Sequence, residues 1–452
     1  MKAKGANAGI LRLTWPIFIE LILQMLVGNA DQIMVGWYDS DLVGAIGNAN
    51  QITNLLIIVF SVVCTAAMIL IAQHIGAKAT DQLGETYTVA LLANTIFGLF
   101  VMLVLLFLCG PIYQMMGVPE EIFQAACDYT RVIAPGMALQ AVYLSFTAFF
   151  RSNKMMKETM IISVVVNCIN IAGNAILING TFGLPALGAV GAAISSDLSR
   201  AIGVFAIMLL FRRKFGPIIS LRYLKPFPVW QLRTLMRIGL PTGGESVSYN
   251  LSQITIQSLT NRLALFVVTT RAYANMFAML SYTFASAIAQ AAQVVVAQLM
   301  GAGELKEIDR RVKATLRSAF VISVLVSVLL WIFAEPFYRI FTSDEAVLGL
   351  CKTIMLIEIP LEMGRAVNIV MCRALQACGD IRFPIMICVF SAWITAVGGG
   401  FLLAFACDLG LVGIWIAMAA DECLRAILFL WRWHSGRWKD KCLVERQHTE
   451  AV

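Results

Sequence analysis

An aspartate stands well inside a stretch otherwise fit for lipid. Between Leu13 and Gly36 the sequence is strongly apolar, yet it holds Pro16, Glu20 and Asp31. At about 100° per residue, Glu20, Gln24, Val27 and Asp31 fall on one narrow stripe of a helix. A carboxylate at the centre of a bilayer costs at least about 2.5 kcal/mol, so this stripe must face protein or a water-filled cavity. Inward-facing intramembrane acids bind and exchange protons or small cations. Asp31 has no opposite charge three or four residues away in its own helix, which makes it the first candidate for ion coupling.

A second stripe follows Pro241, running from Glu245 through Tyr249, Gln253 and Gln257. It is unusually polar for an apolar run and must also face inward. Glu245 is therefore a second ion-coupling candidate. Glu20 and Glu245 each follow a proline by four residues, which allows another reading, as acids in a first helical turn favoured by the helix dipole. Asn167, Asn170 and Asn174 share one helical face and suit a neutral polar wall. Asp197 with Arg200, Glu362 with Arg365, and Glu422 with Arg425 are i,i+3 pairs of opposite charge that neutralise each other on one face. Arg365 also belongs with Glu20, Gln24, Tyr249 and Gln253 among the residues expected to line a substrate cavity.

Other chemistries find no support. There is no phosphate-binding glycine loop, HExxH or GxSxG, and only three histidines, none expected inside a span. The eleven cysteines are scattered without zinc or redox spacing and read as inert thiols. No metal site, no cofactor beyond a coupling H+ or Na+, and no enzymatic activity are expected. Transport, with no nucleotide-binding segment, would have to draw on an ion gradient.

These residues need a membrane to act in. Of 452 residues 59% are hydrophobic and 13% charged, about half the charged fraction of a soluble domain. Mean hydropathy is +0.80. Twelve runs are long enough to span a bilayer. They lie near 12–36, 46–72, 87–109, 126–150, 158–180 and 187–211, then 238–261, 272–298, 315–334, 351–374, 384–405 and 409–431. Basic residues collect in alternate connections, such as Arg212 to Arg237 and Lys306 to Arg317, and at both ends of the chain. By the positive-inside rule both termini are cytoplasmic, in a multi-pass protein of the plasma (inner) membrane. The net charge of +7 is then a topological signal, and no nucleic-acid partner is expected.

The chain repeats itself. A shift of 225 carries Pro16, Glu20, Asn50, Pro135 and Gly173 onto Pro241, Glu245, Asn275, Pro360 and Gly398. Such a repeat divides the chain into an N-terminal six-helix lobe (1–211), a basic linker (212–237), a C-terminal six-helix lobe (238–431) and a tail (432–452). The fold class is all-α, with twelve transmembrane helices in two homologous halves. Because six is even, the halves enter the membrane in one orientation, and their pseudo-two-fold axis is expected along the membrane normal.

The sequence resembles the multidrug and toxic compound extrusion (MATE) transporters over nearly its full length. The likeness rests on Leu13-Thr14-Trp15-Pro16, Asp31 to Gly36, Ala72 to Ala77, Asn170 with Asn174, and Gly188 to Ala193, in that order within the repeated spans. It implies an antiporter that exchanges protons or sodium for amphipathic, often cationic compounds by alternating access. It also matches Asp31 to the family's first-span acid and Asn170/Asn174 to its fifth-span polar pair. A glutamate deeper in span seven and an aspartate near Arg365, found in the NorM-type branch, are missing here. The expected partners are a small-molecule substrate and the lipid bilayer, with the protein acting as a monomer. The competing readings are a flippase or exporter of a lipid-linked precursor and an exporter dedicated to one natural product.

Overall fold

In lipid every backbone N–H and C=O must find a partner within the chain, and a continuous apolar run achieves this as a helix. In the computed structural model, which describes residues 2–183 and 185–444, the long elements are all helices. The first half holds α1 (Lys2–Tyr38), α2 (Ser40–Gly76), α3 (Thr80–Met116), α4 (Glu120–Ser152), α5 (Met156–Leu177) and α6 (Gly188–Phe215). The second holds α7 (Val229–Thr260), α8 (Leu265–Ala302), α9 (Leu305–Ile332), the short α10 (Ala334–Arg339), α11 (Glu345–Ala377), α12 (Arg382–Ala406) and α13 (Gly410–His434). Within α12, wide π turns run over Ala392–Gly398 and Leu402–Ala406.

Setting α10 aside, the described residues form twelve long helices, six in each half. Nine are both long and apolar enough to cross a membrane. The other three, α7, α11 and α13, are 32, 33 and 25 residues long. They fall short in apolarity because they carry the charged and polar side chains of the second half, and a helix whose polar face is buried in protein can still span.

The chain forms two compact units, Ile19–Gly239 and Met1–Phe18 with Leu240–Val452. The expected first lobe began at residue 1, whereas here the start of α1 belongs with the second unit. Trp15 and Phe18 set their rings edge-on to Phe284 of α8, at centroid distances of 6.3 and 5.7 Å. In the Ile19–Gly239 unit, Asn94 of α3 donates to the Ala141 carbonyl and to Ser145 of α4, each at 2.9 Å. α5 and α6 form a hairpin so close that a Cβ on Gly191 would lie 2.6 Å from the Leu177 carbonyl oxygen. In the other unit α11 is central, packed against α8, α9 and α13. Its hairpin α12–α13 repeats the tight contact, with Gly413 against Leu403.

The linker is shorter than expected and is not loose. It reduces to the stretch between Phe215 and Val229, with one 3-10 turn at Leu221–Leu224. Ser220 N donates to Thr88 at 3.3 Å, and Tyr223 lies over Gly84, both on α3. At the other end, the expected tail begins inside α13. It turns back so that Trp438 stacks on Trp433 at 4.2 Å and is buried, and its residues beyond 444 lie outside those described.

Candidate functional site

Neither glutamate that follows a proline starts a helix. α1 runs unbroken through Pro16 and α7 through Pro241, so Glu20 and Glu245 both lie in helix interiors. The helix-start reading therefore fails, since the dipole effect is confined to the first turn. Glu20 has a different anchor. It is 1% exposed and accepts from Arg151 of α4 at 2.8 Å. A buried carboxylate with a guanidinium at contact distance is neutralised in place.

Asp31 is arranged otherwise. Its Oδ1 accepts a hydrogen bond of 2.5 Å from the Asn174 amide of α5. Among the described residues no cation lies within ion-pair distance of it; Arg200 reaches it only through its field. Gln24, placed on the same stripe by helical periodicity, is exposed. Asn170 is one turn from Asn174 but donates to Ser196 of α6 at 3.0 Å. Several buried atoms around these groups lack hydrogen-bond partners, namely Asn174 Oδ1, Asn170 Oδ1 and Asn167 Nδ2. Unpaired buried polar atoms are costly, so this pattern suits a site that admits water or an ion.

Asp197 and Arg200 face each other at 3.5 Å, as their spacing indicates. A proline positions them. Pro135 interrupts the ladder of α4, and the Gly136 amide donates to Asp197 Oδ2 at 3.1 Å. A Cβ on Gly136 would overlap the carboxylate, so a larger residue there would have to displace Asp197 from this hydrogen bond.

In the second unit the i,i+3 pairs merge into one network. Arg365 pairs with Glu362, lies 3.6 Å from Glu422 and reaches Glu358 at 3.8 Å. Arg425 pairs with Asp421 and lies 3.3 Å from Glu422. Asn368 donates to Glu422 at 2.7 Å, Ser281 to Glu362 at 2.5 Å, and Trp415 to Glu358 at 2.7 Å. Tyr249 joins through its ring, 6.0 Å from the Arg425 guanidinium. Gln253 is half-buried one turn further along α7. The network holds four buried carboxylates against two guanidiniums, an excess of two negative charges when all are ionised. Glu358, Asp421 and Asn368 were not singled out from sequence. Their signal was present, since Glu358, Glu362 and Arg365 recur at helical spacing, as do Asp421 and Arg425.

Glu245 stands apart from this network. Its carboxylate, with Cys372 of α11 and Cys388 of α12, forms a group whose donor atoms all lie within 4.8 Å of one another. The two cysteines are 16 residues apart in sequence, which conceals the cluster from any spacing rule.

Residues 16–176 and 241–402 each match the MatE family, one match per half. The chain belongs to the MatE family of membrane transporters. A MatE relative, the uncharacterized transporter YisQ of Bacillus subtilis, is 33% identical over 440 residues, covering 97% of each chain. A probable multidrug resistance protein NorM of Thermotoga maritima is 27% identical over 98% of this chain and 95% of its own. The fold is that of solved MATE structures. A MATE crystal structure in the bent conformation superposes with a TM-score of 0.89 at 21% identity, over 97% of both chains. The Vibrio cholerae MATE transporter VcmN gives 0.89 at 17% identity, over 97% of this chain and 99% of that one.

Proposed function

We propose that this MatE transporter is an antiporter of the plasma (inner) membrane, with both termini cytoplasmic, that exports amphipathic cationic compounds against an inward flow of protons or sodium. The observation that carries this reading is the contrast between Glu20 and Asp31. Both are acids of α1, yet among the described residues only Glu20 has a guanidinium in contact. Asp31 is held by a neutral amide, so it can gain and lose a proton or a sodium ion without breaking an ion pair. A coupling group must do this, because the ion has to bias one conformation over another through differential binding.

The charge pattern supports a cationic substrate. Among the described residues, Arg200, Arg365 and Arg425 each face at least one carboxylate, and Arg271, held by Thr260 and the Ile256 carbonyl, is a single guanidinium rather than the cationic cluster a pyrophosphate headgroup needs. The flippase reading is correspondingly disfavoured. The test is efflux of a fluorescent cationic dye from vesicles holding the purified protein, with the proton and sodium gradients imposed separately. One gradient should drive efflux and its collapse should stop it. Efflux indifferent to both would refute the proposal.

A further inference from the structure

The two halves place the same pair of positions in contact and fill them differently. In the first half, Glu20 meets Arg151, 131 residues later. In the second, Glu245 meets Gln376, again 131 residues later, with Gln376 Nε2 3.4 Å from Glu245 Oε2. Both pairs follow the repeat offset of 225, so Gln376 occupies the place of the arginine. The acid keeps its position, half-buried, with a neutral amide in place of the fixed cation. The same offset puts Cys372 where the first half has Thr147, and Cys388 where it has Ser163. Two thiols therefore enter in the half where the guanidinium is missing.

These groups converge. The Cys388 thiol contacts both the Cys372 thiol and the Glu245 carboxylate. Arg373 and Arg425 act on Glu245 only through their fields, and no cation among the described residues lies within ion-pair distance of it. Gln376 is 2% exposed, and its Nε2 lies 3.4 Å from Cys372 Sγ. Its carbonyl oxygen is buried with no partner at all. Turning that amide over exchanges its oxygen and nitrogen and would direct the oxygen at the same space.

We infer that Glu245, Cys372, Cys388 and Gln376 form a binding site for a thiophilic d10 cation, Zn2+ being the physiological choice. Two sulfurs and two oxygens from α7, α11 and α12 match the four-coordinate, borderline-soft preference of zinc. Sodium and magnesium are poor matches, because thiolates select against hard cations. The present spread of 4.8 Å is wider than the roughly 3.8 Å edge of a tetrahedron with Zn–S bonds of about 2.3 Å, a gap that thiol rotation can close. Binding M2+ releases the two thiol protons, together with the Glu245 proton if it is present, and transfers no electrons. Glu245 is half-buried, which leaves a way in. The site does not depend on the transport reading.

The experiment titrates Cd2+, as the spectroscopic probe, into the reduced, chelator-washed, full-length protein in nanodiscs, following the cadmium–thiolate charge-transfer absorption. The native protein should show one saturable equivalent that Zn2+ displaces. The C372S/C388S variant should lack that equivalent, and Glu245→Gln should weaken it about tenfold or more. The decisive variant is Gln376→Arg, which restores the arrangement of the first half. It should abolish cadmium binding while raising the melting temperature of the metal-free protein. The inference is overturned if C372S/C388S retains the native stoichiometry, or if Gln376→Arg binds cadmium as the native protein does. A Cys372–Cys388 disulfide as the form isolated without reductant would also overturn it. Should C372S/C388S fail to run as a monodisperse species, Gln376→Arg decides alone.

Discussion

Two acids of one helix invite opposite experiments. Asp31→Asn keeps the shape and hydrogen-bonding capacity of the side chain but cannot exchange a proton or bind sodium as a charge. We expect it to fold and to bind dye, while gradient-driven efflux in vesicles falls by about 5- to 150-fold, the span of ordinary coupling free energies. Native rates from reconstituted Asp31→Asn would move the coupling site into the second unit. For Glu20 the expectation concerns stability. Arg151→Met leaves a 1% exposed carboxylate without its contact cation, and breaking a buried pair in this way costs about 3–5 kcal/mol. Adding Glu20→Leu to Arg151→Met should recover most of that loss, because the penalty lies in the orphaned charge more than in the missing bond. Thermal unfolding of the three proteins in one detergent checks it; equal damage in the single and double variants would count against this account.

Among the helices, the tightest constraint is at the hairpin glycines. A Cβ on Gly413 would lie 2.7 Å from the backbone carbon of Leu403, and backbone cannot swing aside as a side chain does. Gly413→Ala should therefore cost about 1–3 kcal/mol, as overpacking does, and appear as a lower melting temperature. Gly244→Ala, with open space around it, serves as the control that should change little. How much was legible beforehand differs from element to element. The long helices of the first half, and α8, α9 and α12, are visible because lipid demands continuous apolar runs. α7, α11 and α13 are visible as apolar runs too, but they fall short of the other nine in apolarity because they carry charged and polar side chains. Helical periodicity groups Asp31 with Gln24, and in the structure Asp31 is half-buried while Gln24 is exposed. The Asn174 partner was visible only as a polar face, since nothing local encodes which helix lies 143 residues away. The Glu245–Cys372–Cys388 cluster was beyond reach for the same reason.

At the scale of the whole protein, the buried network of the second unit has an electrical consequence. Four carboxylates and two guanidiniums lie on helices that span the membrane, so any proton or cation that titrates the excess moves through part of the transmembrane field. One elementary charge crossing 100 mV exchanges about 2.3 kcal/mol with that field, and two would exchange about twice as much. We therefore expect efflux to respond to voltage at constant ion concentrations. Clamping vesicles at zero potential with potassium and valinomycin should slow dye export relative to an inside-negative potential of the same ionic composition. Equal rates at the two potentials would mean that substrate and coupling ions move in electrically balanced numbers. If the rates differ, a cell that loses its membrane potential loses export capacity even while its ion gradients last.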